Sequence, residues 1–568
     1  MRHRRIGLAI FSILDYYNKT AQIIGYAGKD EHVVFPSEID GCKVISIKSE
    51  RHAFPAGHHR EYETIILNNT ARLNMKSLVI PDTVEEIGMH AFVNCTNLKE
   101  VTLSKNLKVI GGDAFGNCTS LEKISFPASL EKISTSQRDG KGQGAFQNCT
   151  SLKEIYFDPK CKLDYLPYNA FRSCTSLEKV TFSDNIQNIY EDVFRDCVSL
   201  TSVKLPANLK SISSNVFKGC TNLSEVKWND KLETIGGRAF SETALTKLEL
   251  PSTVKWIGDG AFEKCEQLSS VTWNNSLEYL GSRAFMNTNL DLKTIKLNEG
   301  LTEFGNEVFG NIGLTSIIIP STVQKVGTFK NYPNLQKVIF LGVPRSLNFD
   351  SGTRITLYGF KDSYVEEYAR NRGLGFTALK EITDFKVTHS DYKYAKLTWK
   401  AVKGIDEYTV YRSTSADGTY KKIATVSKNS YNDKSIKAGK TYYYYVTFKY
   451  KDNDGLLIDS VKSETVPVKI VPNDVAKFSG EYYYKNYNSR GVKFSWDKVN
   501  NADGYVLYYR NNFLDDWKKI TTIKSNKTTS YNYKTADGFV VKQFAIRAYK
   551  TINGKNVYSD YAIVTITP

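Results

Sequence analysis

No run of 18 apolar residues occurs in this chain, so no segment is long and apolar enough to cross a bilayer as a helix. Histidine is scarce, with seven residues, and six of them fall before position 91. No nucleophile, base and orienter set can be assembled from them, and an enzyme is not expected. No CxxC pair occurs, which removes the common zinc and dithiol motifs. No GxxxxGK[ST] run occurs either, and the nearest glycine-rich stretch, Gly140-Lys141-Gly142-Gln143-Gly144, has the wrong spacing for a phosphate loop. Arg-Gly-Asp is missing, so integrin binding by that tripeptide has no support. Methionine (4) and proline (14) are few among 568 residues, whereas tyrosine (36) and phenylalanine (29) are plentiful. Aromatic side chains pack well on pleated sheets, and the composition points to a mainly β chain. The 41% hydrophobic and 24% charged fractions belong to folded material.

Charge and cysteine divide the chain in two. The formal net charge is +16, and residues 381–568 carry 31 basic against 19 acidic side chains. All nine cysteines lie before residue 266, and 23 of the 36 tyrosines lie after residue 380. A domain boundary is expected near 380. The basic C-terminal part could engage an anionic polymer, although lysine that guards strand edges and tyrosine that fills sheet faces explain the same composition. No nucleic acid is expected as a partner. At the other end, Arg2-His3-Arg4-Arg5 precedes the mostly apolar Ile6–Leu14. This reads either as the front half of a secretory signal or as a capping strand, Phe11–Leu14, paired with Ala21–Gly25.

The first 340 residues repeat. Phe54, Phe92, Phe115, Phe146, Phe171, Phe194, Phe217, Phe240, Phe262, Phe285, Phe309 and Phe329 recur with a dominant period of 23. A period in this range marks a solenoid. Within one copy, Leu98, Val101 and Leu103 give the L-x-x-V-x-L spacing of a short strand, and one parallel sheet is expected, with roughly 4.8 Å per coil. Cys95, Cys118, Cys149, Cys174, Cys197, Cys220 and Cys265 each follow the repeat phenylalanine by three, where other copies hold Thr243 or Thr288. Threonine in the same place argues for buried free thiols rather than disulfides or a metal ladder. The sequons Asn94-Cys95-Thr96, Asn117-Cys118-Thr119 and Asn148-Cys149-Thr150 read as repeat consensus.

The pattern A-F-x-x-C-x-x-L-x-x-V-x-L-P resembles the BspA-like, Treponema-type leucine-rich repeat. Ile39-Asp40-Gly41-Cys42-Lys43-Val44 is similar to that family's N-terminal turn, with Cys42 where an aromatic is usual. Leu357–Ser363 followed by Glu366-Glu367-Tyr368-Ala369 is similar to its C-terminal cap; Ser363 and Glu366 have capping-box spacing, and Gly373 supplies a stop. The resemblance implies a bacterial extracellular or surface-attached protein that binds other macromolecules, often as an adhesin. The expected layout is a capping segment at 1–48, a solenoid at 49–341, a cap with a short helix at 342–380, and β-sandwiches at 381–471 and 473–568. Each sandwich has an early tryptophan, Trp399 or Trp496, and an alternating strand ending on Arg412 or Arg510. This arrangement resembles fibronectin type III domains. Gly439-Lys440-Thr441-Tyr442 matches their tyrosine corner, while the second copy has Lys542 at the aligned place.

The concave sheet face is the expected recognition surface. Its two outward columns include Glu100, Lys123, Glu154, Lys179 and Glu225, and Thr102, Tyr156, Lys204, Lys227 and Glu249. They read either as a charge ladder that keeps the sheet soluble or as a polar surface for an extracellular protein or a cell-wall or host glycan. Farther on, Ile318 and Ile339 occupy the second column, either covered or forming an apolar patch. His52, His58, His59 and His90 lie near one edge, but variation just before Ala-Phe (Asp113, Gly144, Arg238) suggests a solvated position. No metal or cofactor is expected. The rival readings are a non-catalytic targeting region of a surface hydrolase and an intracellular interaction scaffold.

Overall fold

The structure, a computed structural model, describes residues 4–6, 9–15, 17–48, 66–67, 69–135, 142–291, 293–349, 354–390, 394–486, 489–511, 514–534, 542–552 and 554–566. The chain is mainly β and divides into two compact units, Met1–Ala378 and Leu379–Pro568. His52, Phe54, His58, His59, Gly140 and Lys141 lie outside the described residues.

The first unit is a solenoid with two parallel ladders rather than one. The expected L-x-x-V-x-L strands form the first ladder, for example Lys123–Phe126, Glu154–Phe157 and Lys179–Thr181, paired in register. This ladder is broken into sheets of three, three, two, two and five strands among the described residues. Strands of mostly two residues form the second ladder, which runs unbroken through nine strands from Tyr165–Leu166 to Ser346–Asn348. Each of the seven two-residue strands ends on a buried aliphatic or aromatic residue such as Ile212, Ile235 or Ile257. The second ladder went unread because a two-residue strand carries no period-2 signal.

Four repeat sites hold the coils together. Phenylalanine rings from Phe92 to Phe309 stack one on the next at 5.2–5.7 Å. The stack then changes column, and Phe329 lies against Phe304 and Phe349. All nine cysteines are free and buried. The thiols of Cys118, Cys149, Cys174, Cys197, Cys220 and Cys265 donate to the carbonyl of the preceding coil's phenylalanine at 3.0–3.3 Å. Burial raises the Cys149 thiol to about 12 and the Cys265 thiol to about 11. A glycine after the buried aliphatic permits close backbone stacking, since a Cβ on Gly258 would lie 2.7 Å from the amide nitrogen of Gly237.

Left-handed residues form the fourth site. The residue two after the phenylalanine has positive φ in coil after coil, as at Asn94 (62°), Asn117 (57°) and Asn148 (60°). Asparagine enters this region more cheaply than other L residues. Its amide also works here: Asn117 Nδ2 donates to Asn94 Oδ1, and Asn148 Nδ2 to Asn117 Oδ1, both at 2.9 Å. The position two before the phenylalanine is left-handed too, at His90, Asp113 and Arg238. It is not uniformly solvated, because Asp113 is buried and accepts from His90 Nδ1 at 3.1 Å. Backbone conformation, not exposure, is what these residues share. Asn117→Ala should cost about 2 kcal/mol, from the αL penalty and two lost amide bonds, and Asn117→Gly about half that. Urea unfolding of the solenoid transition measures both.

The ends are closed differently. Ala9–Asp15 pairs antiparallel with Thr20–Tyr26, including Phe11 opposite Ile23, and Thr20–Tyr26 joins Cys42–Ile47 in parallel at the start of the second ladder. Asp40 and Gly41, both with positive φ, make the tight turn from Glu38–Ile39 into Cys42–Ile47. At the other end the helix Tyr364–Arg372 stops on left-handed Gly373. The expected capping box does not form. Ser363 Oγ donates to the Phe360 carbonyl at 2.6 Å, and the Glu366 carboxylate accepts the Asp362 amide instead of the N-cap amide. Ile318 and Ile339 are buried, which removes the apolar patch.

The second unit contains two antiparallel sandwiches with the same strand order. In the first, Tyr394–Thr398 lies between Lys386–Ser390 and Ser430–Asp433; the facing sheet is built on Tyr408–Ser413 and Thr441–Lys451. In the second, Ser489–Ser495 lies between Ser479–Asn486 and Ser530–Lys534, facing Gly504–Arg510 and Lys542–Ile552. Trp399 meets Tyr408, and Trp496 meets Tyr505, at 5.3 Å and 65° in both. Tyr442 Oη accepts the Lys437 amide at 2.9 Å, which fixes the entry into the long strand. Asp433 is buried and accepts from Arg412 at 2.7 Å and Tyr444 at 2.8 Å. Hydrogen bonds from Ser435, Tyr444 and Arg412 outweigh its burial and hold the carboxyl below its usual range.

Candidate binding site

Alternation along the first ladder turns Val101, Ile124, Ile155 and their equivalents inward and the neighbours on either side outward. Glu100, Thr102, Lys123, Lys179, Lys204, Glu225, Lys227 and Glu249 are exposed, Tyr156 is 39% exposed, and Glu154 is half-buried. The register brings some of them together. Glu154 lies between Lys179 at 2.7 Å and Lys123 at 3.4 Å, and Lys179, with help from Lys123, holds its carboxyl below the usual range. Lys227 is 3.9 Å from Glu225 and Lys247 is 3.4 Å from Glu249, each within one strand. Such exposed pairs contribute roughly 0–1 kcal/mol, so the face is free to exchange partners. Glu100 pairs in register with Ser77, and its strand belongs to a different sheet from Lys123.

The second ladder carries a feature that the sequence reading did not single out. Its outward column runs Tyr165, Asn188, Ser211, Thr234, Trp256, Tyr279, Glu303, Lys325. Short side chains give way to Trp256, which is 45% exposed and stacks on Tyr279 at 3.5 Å with 5° between the planes. A groove of about 640 Å³ opens here, floored by Gly237, Gly258 and Gly260 and flanked by Asn215, Arg238, Asp259 and Arg283. A second groove, of about 440 Å³, continues from Tyr279, Ser282 and Asn306 to Lys325 and Asn348. The charges are largely matched. Arg283 Nε donates to Glu307 Oε2 at 2.8 Å, Arg238 Nε lies 3.6 Å from Glu263, and Asp259 Oδ1 accepts the Ser282 amide at 2.7 Å. A tryptophan where the two preceding copies hold serine and threonine was the available signal.

In the second unit the guanidinium groups lie over rings. Arg547 is 3.9 Å from the Tyr558 centroid and 4.8 Å from that of Tyr561, and donates to Tyr508 Oη at 2.7 Å. Arg510 lies 4.5 Å over Trp517. These contacts occupy part of the basic surplus in packing. No group of three or more potential metal ligands occurs among the described residues.

Comparison with known proteins matches residues 67–348 to the BspA type leucine rich repeat region, in overlapping segments 67–200, 139–268, 187–291 and 257–348. An amylopullulanase of Thermoanaerobacter thermohydrosulfuricus is 39% identical over 84 residues, which is 15% of this chain and 6% of that protein. The chain thus spans only a small fraction of this curated relative. A leucine rich cell surface protein from Faecalibacterium prausnitzii is 25% identical, covering 60% of this chain and 95% of its own, with a TM-score of 0.37. The pneumococcal vaccine antigen PcpA is 18% identical, covering 67% and 99%, with a TM-score of 0.41. With the two-laddered coil and its recurring Phe, Cys and Asn sites, the family match identifies residues 67–348 as a leucine-rich repeat region of the BspA type.

Proposed function

We propose that this chain is a non-enzymatic binding protein of the bacterial cell surface or exterior, adhesin-like, whose solenoid recognises an extracellular protein or glycan. The carrying observation is the division of labour within each coil. Phe, Cys, Asn and Gly sites hold the stack, and the outward columns from Glu100 and Thr102 to Lys247 and Glu249 are left mostly exposed and weakly paired. The repeat family supports the exterior setting. The paired sandwiches, read as fibronectin type III modules on their tryptophans and the Tyr442 corner, act as a spacer or as a basic attachment face for an anionic polymer.

The test immobilises matrix proteins and cell-wall polymers and measures binding of the full chain at low and high salt. A ligand held by the first ladder should lose about tenfold in affinity in Lys179→Glu/Lys204→Glu/Lys227→Glu, with the fold intact by circular dichroism. Equal binding by the variant to every ligand would remove the first-ladder face from the reading. A second reading, a non-catalytic targeting region of a surface hydrolase, draws on the amylopullulanase relative. A catalytic domain encoded in frame with this chain would favour it.

A further inference from the structure

We propose that the Trp256–Tyr279 groove is a carbohydrate subsite, in which the open face of Trp256 takes a pyranose ring of a neutral polysaccharide. The inference rests on the binding-protein reading and names a ligand class for a second surface of it. Four observations carry it.

The first is the platform. Tyr279 covers one face of Trp256, in register on the next coil. On the preceding coil the register partner is Thr234, followed by Ser211. These side chains are too short to cover an indole, so the other face is open to a ligand, in keeping with its 45% exposure. Partially positive ring C–H groups of a pyranose pack against the negative face of an indole, and burying that flat surface supplies most of the affinity.

The second is the polar lining. Asn215, Asp259 and Asn306 face the same groove as Trp256. Asp259 Oδ1 and Asn306 Oδ1 already accept the Ser282 and Thr328 amides, so the Asn215 side chain, the Asn306 amide nitrogen and the second Asp259 oxygen are what the groove offers to the vicinal hydroxyls of a sugar. The third is charge. Arg238 and Arg283 are offset by Glu263 and Glu307, which leaves no cationic cluster for a phosphate or a uronic acid. A neutral polyhydroxylated ligand fits such a groove better than a nucleotide or an acidic glycan. The fourth is length. The adjoining groove shares Tyr279, Ser282 and Asn306 and continues the site along the ladder.

The experiment titrates the full chain with neutral hexasaccharides of glucose, xylose, mannose and N-acetylglucosamine. Isothermal calorimetry is paired with protection of tryptophan fluorescence from acrylamide. At least one hexasaccharide should bind saturably and protect one tryptophan. Trp256→Ala should weaken it more than tenfold without changing the melting curve, and Trp256→Phe should recover part of the loss. The triple lysine variant of the first ladder should bind it normally, which separates this site from the first-ladder face. Absence of binding across the panel overturns the proposal. So does equal binding by Trp256→Ala, or Trp256-dependent binding confined to a peptide or protein ligand. In each of these cases binding at the first ladder still decides the broader reading on its own.

Discussion

Raising the pH from 8 to 11 should unfold the solenoid before the sandwiches. Buried thiols cause this. Burial lifts Cys118, Cys174, Cys197 and Cys220 well above the ordinary thiol value of 9.0, and takes Cys149 to about 12 and Cys265 to about 11. The sign follows from proton counting. Above pH 9 the unfolded chain gives up these protons and the folded chain keeps them, so stability is whole below that pH and falls as the pH climbs toward the folded values. Each thiol contributes about 1.4 kcal/mol per pH unit, so six give a slope of about 8 kcal/mol per unit. An ordinary domain stability of about 5–15 kcal/mol is exhausted within ~2 units of pH. The sandwiches have no cysteine, and their buried Tyr444, raised by burial and by Asp433, starts from an ordinary value of 10.0. Their losses therefore begin later. Replacing the six cysteines with threonine, the residue found at Thr243 and Thr288, should move the alkaline midpoint up by at least one pH unit. An unchanged midpoint in that variant, followed by far-ultraviolet circular dichroism, would show that the thiols do not govern the transition.

Cutting the phenylalanine stack in its middle should have the next largest effect. Phe194 is fully buried between Phe171 at 5.7 Å and Phe217 at 5.6 Å, with Phe182 edge-on at 5.8 Å. Phe194→Ala removes the ring and leaves a cavity, at a cost of about 3–5 kcal/mol. Each coil touches only its neighbours, so the loss falls on two interfaces rather than on a shared core. The single solenoid transition in urea should separate into two, one for each side of the cut. Phe194→Leu should keep one transition at a lower midpoint. A single transition in Phe194→Ala, shifted by less than 1 kcal/mol, would mean that the stack is dispensable.

The parts of this molecule that were legible in the sequence are those with a long period and a buried partner. Phenylalanines from Phe92 to Phe309 at a dominant spacing of 23 announce a coil, and threonine in place of cysteine at Thr243 and Thr288 announces a free thiol. The second ladder was not legible, because a pair such as Trp256–Ile257 has no alternation to count. The left-handed sites were misread for a different reason. Asp113 and Arg238 share a backbone conformation and not a side-chain environment, so their variety suggested solvent when it reflected torsion. The Ser363–Glu366 spacing was correct for a capping box, yet the Phe360 carbonyl took the hydroxyl first. The candidate surfaces divide likewise. The columns beside Val101 and Ile124 follow from strand alternation. Trp256 stands out only when it is compared with Ser211 and Thr234, its counterparts on other coils.

The identical joints between coils bear on how such a chain evolves. Phe194 presents to Phe217 the same ring and thiol bond that Phe171 presents to Phe194. Excision of one whole coil by unequal crossing-over would rejoin like to like, with the frame kept and no new cavity. Length can then drift by recombination while the stack survives. The coil bearing Trp256 is the exception. Its loss would be silent in folding and visible in ligand capture, and its duplication would lay a second aromatic step beside the first.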